Sequence, residues 1–224
     1  MARTLSLQEI EDLFTREDGS YQFSRWGRSI APVVFGVNDD ILAALKAAMT
    51  STLGITGRNI TDVDPELGTN FMWIFVREWD ELKTLPDIDK LLPKLDAKVA
   101  EAKKENSNSY RYFTFDNEGA IQFCCNVIRP AGDYAKQPVS VIGAAETLLS
   151  SVMFGPKAFA TESPLAILPD NNVVIVKPKY AAVIRAAYEE NMPNTANDPS
   201  HAMRIKARAD ILIEDLLDET QSAN

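Results

Sequence analysis

The chain has 224 residues, a formal net charge of −9 and 46% hydrophobic residues. A globule of this length buries enough surface to need no disulfide or metal support, and its negative charge disfavours nucleic acid, whose phosphates it repels. No apolar run approaches the roughly 20 residues of a membrane span, and residues 1–13 are too polar for a signal peptide. We therefore expect a soluble, acidic, cytoplasmic protein with neither a membrane nor a nucleic-acid partner.

The beginning of the chain predicts a short helix ahead of the main domain. Ser6 and Glu9 have the spacing of a capping box, which opens an amphipathic helix within residues 1–20. We expect residues 21–219 to form a single α+β domain and residues 220–224 to be a frayed tail. No internal repeat or low-complexity tract divides the chain further.

The middle of the chain predicts a mixed sheet of four to five strands packed with helices. Residues 29–37 read as a strand, and residues 70–77 are apolar on both faces, which places them in the centre of a sheet. The turn at residues 116–119 joins two strand-like segments into a β-hairpin. Helices are expected over residues 39–53, 87–105 with an interruption at Pro93, 138–155, 179–190 and from Ser200 onward.

Residues 138–155 form the most apolar of these predicted helices. Pro138 suits its first turn, and Gly155 followed by a proline ends it. Glu146 is its one acidic residue, on a stripe of small and polar side chains. A carboxylate facing the interior can serve as an acid–base group, but a buried, hydrogen-bonded structural role explains the same pattern. Glu146 is therefore only a weak catalytic candidate.

The few histidine and cysteine residues, and the absence of several catalytic motifs, argue against several enzyme classes. His201 is the only histidine, whereas a zinc-binding HExxH helix needs two. Because His201 falls in the first turn of the last helix, we expect a partly exposed surface imidazole. Cys124 and Cys125 are adjacent, so we expect reduced thiols, at least one of them buried. The chain has no G-x-S-x-G elbow, Walker loop or G-x-G-x-x-G motif. We expect no metal and no cofactor.

The segment Arg25-Trp26-Gly27-Arg28 is the most unusual polar cluster in the sequence. Two guanidinium groups beside an indole can hold a carboxylate or a phosphate. Alternatively, Trp26 packs on the core while the arginines pair with the acidic surface. Both interpretations remain open at this point.

Several segments in this order resemble an uncharacterised bacterial family of domains of unknown function. They are Arg25-Trp26, GTNFMWIFV at residues 68–76, the aromatic hairpin, the buried helix, and IRAAYEENMPNTANDPSHAMRI at residues 184–205. The resemblance implies a zincin-like scaffold, in which the equivalent helix carries a His-Glu element. This chain reads GAAET at residues 143–147, with Glu146 and no histidine. The resemblance therefore implies a metal-free, degenerate member, and it does not imply peptidase activity.

These patterns leave three functional hypotheses. The first is a non-catalytic protein with a binding or structural role, whose ligand is a protein or a small anion. Its site would be a groove between helix 138–154 and strand 70–77. The alternative is a metal-independent hydrolase that uses Glu146 as acid–base, with Arg25 or Arg28 holding an anionic substrate. A third hypothesis is a partner-binding subunit that uses loop 155–172 or the charged helix 87–105. The candidate binding residues are Arg25, Trp26, Arg28, Asn70 and Glu146.

Overall fold

The computed structural model describes residues 4–222. In chain order its helices and strands are α1 (Leu7–Phe14), β1 (Phe23–Ser24), β2 (Pro32–Phe35), α2 (Asp39–Gly54), β3 (Phe71–Phe75), α3 (Ile88–Leu91), α4 (Leu95–Lys104), β4 (Ser109–Phe115), β5 (Ile121–Ile128), α5 (Val139–Ser151), β6 (Leu165–Ile167), β7 (Val174–Val176), α6 (Pro178–Ala187), β8 (Thr195–Ala196) and α7 (Ser200–Ser222). Two 3-10 helices span Trp79–Thr84 and Tyr134–Lys136. None of the helices within residues 4–222 combines the length and the apolar character needed to cross a membrane.

The central sheet has four strands in the order β2-β3-β5-β4. Strands β2, β3 and β5 are parallel, and β4 is an antiparallel edge strand. This confirms an α+β fold with a mixed sheet, the inner position of the strand within residues 70–77, and the hairpin. The hairpin turn forms because Asp116 accepts backbone hydrogen bonds from Glu118 and Ala120 at 3.0 and 2.9 Å. Gly119 takes a φ of +83°, which favours glycine.

Both faces of the sheet are covered. Side chains alternate along each strand, so one strand contributes to the core on each face. On β3, Phe71 and Trp73 belong to the main core, while Ile74 packs in a second core with α4 and the first 3-10 helix. The helix predicted over residues 87–105 is instead two helices, α3 and α4, and both pack in this second core. Lys94, which follows Pro93, has a φ of +61° between α3 and α4.

Helices α2 and α5 lie together over the main face of the sheet. A Cβ added to Gly143 would come within 2.7 Å of the Ala48 Cβ, so the two backbones approach closely only because residue 143 is glycine. The polar stripe of α5 is buried along with its apolar residues, including Glu146, Thr147 and Ser150. The polar side chains of α5 therefore need partners inside the protein.

The two ends of the chain join the same core. Ile10, Leu13 and Phe14 of α1 are buried in it, and α1 packs on α7. Helix α7 is continuous to Ser222, so residues 220–222 are helical although a frayed tail is predicted there. Residues 223–224 of that tail, like residues 1–3, lie outside the described residues.

Two short pairs of strands lie outside the central sheet. Strand β1 pairs antiparallel with β8, which brings Arg25, just after β1, against residues 192–194. Strand β6 lies inside the segment 155–172, predicted as a loop, and pairs antiparallel with β7.

Candidate functional site

A groove lies at the edge of the sheet where the parallel strands end. The carboxyl ends of β2, β3 and β5 meet there, and α2 and α5 begin near the same edge. Between these elements is a cavity of about 740 Å³. Ligands bind preferentially at this edge in open parallel sheets, because the loops there can diverge around them. The cavity lies where the sequence places a groove between helix 138–154 and strand 70–77.

The walls of the groove are mainly apolar. They are formed by Gly36, Val37, Ile41, Leu45, Phe75, Val76, Arg77, Glu81, Pro130, Ala135, Gln137, Val139 and Ile142. Arg77 is the only cation among them, and its backbone N–H donates to Glu81 Oε2 at 3.1 Å. Among the residues that the structure describes, no carboxylate forms an ion pair with the Arg77 guanidinium. The groove can therefore accept an apolar body with an anionic end.

Glu146 is buried and fully engaged by neighbouring donors. Its side chain is 3% exposed, Tyr134 donates its hydroxyl to Oε1 at 2.7 Å, and the Arg111 guanidinium forms a short ion pair with Oε2. Burial, followed by the negative charge of Glu146, raises the pKa of Tyr134, so this hydroxyl stays protonated as a donor. Arg111 comes from edge strand β4, and the sequence does not predict its pairing with Glu146. The only signal for Arg111 in the sequence is its position as a single arginine among the aromatic residues of the hairpin.

The hydrogen bonds continue from Glu146 into the sheet. Ser150 Oγ donates to the Glu146 carbonyl at 2.7 Å and accepts from Arg111 Nε at 2.9 Å and from Asn126 Nδ2 at 2.8 Å. Cys124 Sγ donates to Asn126 Oδ1 at 3.5 Å. We call Arg111, Asn126, Tyr134, Glu146 and Ser150 the Glu146 network. Its members satisfy one another, so it fastens α5 to the sheet.

The two cysteines are buried free thiols, as the sequence predicts for at least one of them. Burial raises the pKa of Cys124 and raises that of Cys125 to about 12. A thiol is a poor nucleophile until it loses its proton, so neither cysteine is set up for nucleophilic catalysis.

Trp26 and Arg25 point into the protein in different directions. Trp26 is 1% exposed and donates Nε1–H to the Ser150 carbonyl at 2.8 Å, which places it in the core. Arg25 is 3% exposed and donates from Nη2 to the Met192 carbonyl at 2.8 Å. Its guanidinium lies 5.0 Å from the centre of the Tyr188 ring. The interpretation in which Trp26 packs on the core and the arginines pair with the acidic surface therefore holds for Trp26 and for Arg28, which pairs with Glu66, but not for Arg25.

Arg28 and Asn70 belong to a different cluster. Arg28 Nη1 lies 2.8 Å from Glu66 Oε2 and 3.7 Å from Asp64 Oδ2. Asn70 is fully buried, accepts from the Ala31 N–H at 2.8 Å, and donates to Asp64 Oδ2 at 3.0 Å. These contacts hold the turn around Asp64 against β2 and β3. Neither Arg28 nor Asn70 lines the groove.

The five predicted binding residues are thus distributed over three places. Glu146 and Trp26 both contact Ser150, Arg25 contacts the segment after α6, and Arg28 and Asn70 share Asp64. Within residues 4–222, no hydrogen bond or ion pair joins Glu146 to Arg25 or Arg28. The hydrolase alternative needs these groups around one substrate, and the structure gives each of them another partner.

His201 is buried, which corrects the expectation of a surface imidazole. It is 3% exposed, its Nδ1 lies 2.9 Å from the Tyr21 hydroxyl, and its ring centre lies 4.4 Å from that of Phe23. Burial, followed by the positive charges of Arg204 and Arg25, lowers the pKa of His201 to about 4. The first turn of α7 faces inward here because α7 packs between α1 and α6.

No group of three or more histidine, cysteine, aspartate or glutamate side chains is placed to hold a metal ion in the part of the chain that the structure describes. No protein-family model matches the chain. Searches of curated proteins and of solved structures give no significant match either.

Proposed function

We propose that this chain is a non-catalytic, metal-free binding protein of the bacterial cytoplasm on a zincin-like scaffold. Its groove between α5 and the end of β3 takes a small amphipathic carboxylate. The observation that carries this proposal is the cavity of about 740 Å³, with mainly apolar walls, the single cation Arg77, and Glu81, whose carboxylate accepts the Arg77 backbone N–H. Apolar lining with one or a few placed polar groups is the usual composition of a small-molecule site.

The zincin-like part of the proposal is supported by the position of α5. It follows the β4–β5 hairpin, packs on the sheet, and directs Glu146 toward the antiparallel edge strand β4. The non-catalytic part is supported by the partners of Glu146. Both carboxylate oxygens accept hydrogen bonds from Arg111 and Tyr134, so the carboxylate is occupied by donors of its own chain. A group held in this way has a structural role.

Decanoate and decanol provide a direct test, because they share an apolar chain and differ in charge. We expect isothermal titration calorimetry to show binding of decanoate and weaker binding of decanol to the wild type. Arg77→Gln is expected to weaken decanoate binding about 5-fold and to leave decanol binding unchanged, since an exposed charge contact contributes about 1 kcal/mol. Val139→Trp, which fills the groove from the first turn of α5, is expected to weaken both.

Arg28→Gln is the matched control, because it removes an arginine that does not line the groove. It is expected to bind both compounds as the wild type does. Failure of decanoate to bind the wild type at millimolar concentration would contradict the proposal, as would equal affinities for decanoate in Val139→Trp and the wild type.

A further inference from the structure

Arg25 is a buried cation whose hydrogen bonds are incomplete. Nη2 and Nε reach the carbonyls of Met192 and Pro193 at 2.8 and 3.4 Å. Nη1 is buried and has no hydrogen-bond partner within the described residues. Carbonyl oxygens carry only partial charges, and no carboxylate of residues 4–214, whose side chains the structure describes, forms an ion pair with this guanidinium. An isolated buried charge costs several kcal/mol, so this arrangement calls for a compensating group.

A second cation, Arg58, lies beside the same aromatic ring. The guanidinium carbon of Arg58 is 5.6 Å from the centre of the Tyr188 ring, compared with 5.0 Å for Arg25. Arg58 is half-buried, and it too has no carboxylate partner among the described residues. The chain contains 32 acidic residues, so the absence of an ion pair at two neighbouring arginines is unexpected for this composition.

The backbone on both sides holds these arginines in place. Arg25 donates its N–H to the Asn194 carbonyl at 2.9 Å, and its own carbonyl accepts from the Ile121 N–H at 2.9 Å. After α2 ends, Thr56 Oγ1 accepts from the Arg58 N–H at 3.1 Å. The like charge of Arg58 lowers the pKa of Arg25 in addition to the larger effect of burial. The guanidinium groups of Arg25 and Arg58 therefore both lie against the Tyr188 ring on a fixed frame.

We propose that Arg25 and Arg58 bind a small oxyanion, a carboxylate or a phosphate group, beside the ring of Tyr188. The oxyanion supplies the acceptor that Arg25 Nη1 lacks and offsets positive charge at both arginines. Guanidinium groups suit this role because their parallel N–H groups match the oxygens of carboxylates and phosphates. This site goes beyond the proposed function, since Arg25, Arg58 and Tyr188 do not line the groove.

Anion-dependent stability and direct binding test this site at constant ionic strength. In chloride buffer, about 10 mM phosphate or acetate is added while sodium chloride is lowered to keep the Debye screening constant. We expect at least one of the two oxyanions to raise the wild-type Tm by about 3 °C or more, because a ligand that binds only the folded state stabilises it by mass action. A shift with phosphate alone, with acetate alone or with both supports the site and identifies the group that it prefers.

Arg58→Gln is the deciding variant, because Arg58 is half-buried and its loss leaves Arg25 and the core in place. Calorimetry is expected to show at least tenfold weaker oxyanion binding by Arg58→Gln and an intermediate loss for Arg58→Lys, which keeps the charge without the fork. Arg28→Gln, the matched control, is expected to bind as the wild type does. No shift in wild-type Tm with either oxyanion would overturn the proposal, and so would equal affinities in Arg58→Gln and the wild type.

Discussion

Two buried charge centres in this protein differ in how their charge is compensated. In the Glu146 network, a carboxylate faces an arginine and a tyrosine hydroxyl, and its neighbours Ser150 and Asn126 are hydrogen-bonded as well. At Arg25, two guanidinium groups share the ring of Tyr188, and one buried N–H group has no partner in the described structure. A completed network stabilises the fold without needing a ligand, whereas an incomplete one has the capacity to bind one. The comparison therefore separates structural charges from candidate binding charges.

The largest expected effect is at Arg111. Arg111→Met leaves the Glu146 carboxylate buried and without its counter-charge, so we expect the free energy of unfolding to fall by about 3–5 kcal/mol. Urea unfolding at pH 7, followed by circular dichroism, measures this loss.

The double variant Arg111→Met/Glu146→Gln is the control. It removes the unpaired charge while retaining an acceptor for Tyr134, so it should recover a large part of the loss. A single and a double variant of equal stability would show that packing of the Arg111 chain, and not charge compensation, determines the effect.

The second expected effect concerns His201, whose pKa is lowered in part by the charge of Arg25. Its folded pKa is about 4 and its ordinary value is 6.5, so between these pH values the unfolded chain binds a proton that the folded protein does not. Stability from this source is present above pH 6.5, falls as the pH is lowered, and shows no further loss below pH 4. We expect the wild type to lose about 2 kcal/mol more than His201→Gln between pH 7 and pH 5.

Urea unfolding of both proteins at the two pH values measures this difference. Carboxylates titrate equally in the two proteins, so they cancel in the comparison. Tyr21, Arg25 and Arg204 are the groups whose contacts or charges act on His201, and all three are unchanged in the variant. Parallel pH dependences for the wild type and His201→Gln would show that the imidazole does not stay neutral on folding.

The third expected effect is at Arg25, where Arg25→Met corresponds to Arg111→Met in the Glu146 network. Arg25→Met removes a buried charge and also the donors to the Met192 and Pro193 carbonyls, two effects of opposite sign. In chloride buffer we expect a change of no more than about 1 kcal/mol in the free energy of unfolding, far below that of Arg111→Met. Thermal and urea unfolding measure it. A loss as large as that of Arg111→Met would mean that Arg25 is already compensated by the protein.

The sequence predicts the parts of this arrangement that depend on local pattern. The hairpin follows from its turn residues, the inner strand from an apolar run, and the unusual character of Glu146 and Arg25 from their neighbours in the chain. The partners of these residues were not predicted. Arg111 reaches Glu146 only when β4 lies beside β5 under α5, and Arg58 reaches Tyr188 only through the packing of the loop after α2. Such pairings depend on tertiary contacts that no local periodicity encodes.

The groove and His201 illustrate the same limit. The sequence predicts the strand and helix that border the groove, but not that Arg77, Ile41 and Val139 line it together. These residues meet only after three parallel strands are aligned. For His201, a position in the first turn of a helix indicated exposure. The burial of that turn against Tyr21 and Phe23 overrides this local preference.

The smallest expected effect is at Arg28, an arginine that already has its carboxylates. Its partner Glu66 is exposed, and exposed ion pairs contribute about 0.2–1 kcal/mol because water screens them. Asp64, the buried carboxylate 3.7 Å away, keeps the N–H groups of Glu66 and Leu67 and the amide of Asn70 as donors. We therefore expect Arg28→Gln to lower the free energy of unfolding by less than about 1 kcal/mol and to leave the response to oxyanions unchanged. Urea unfolding with and without phosphate measures both quantities. A loss of several kcal/mol would show that Asp64 depends on Arg28 as Glu146 depends on Arg111. Exposure of Glu66 would then not explain a small effect at this ion pair.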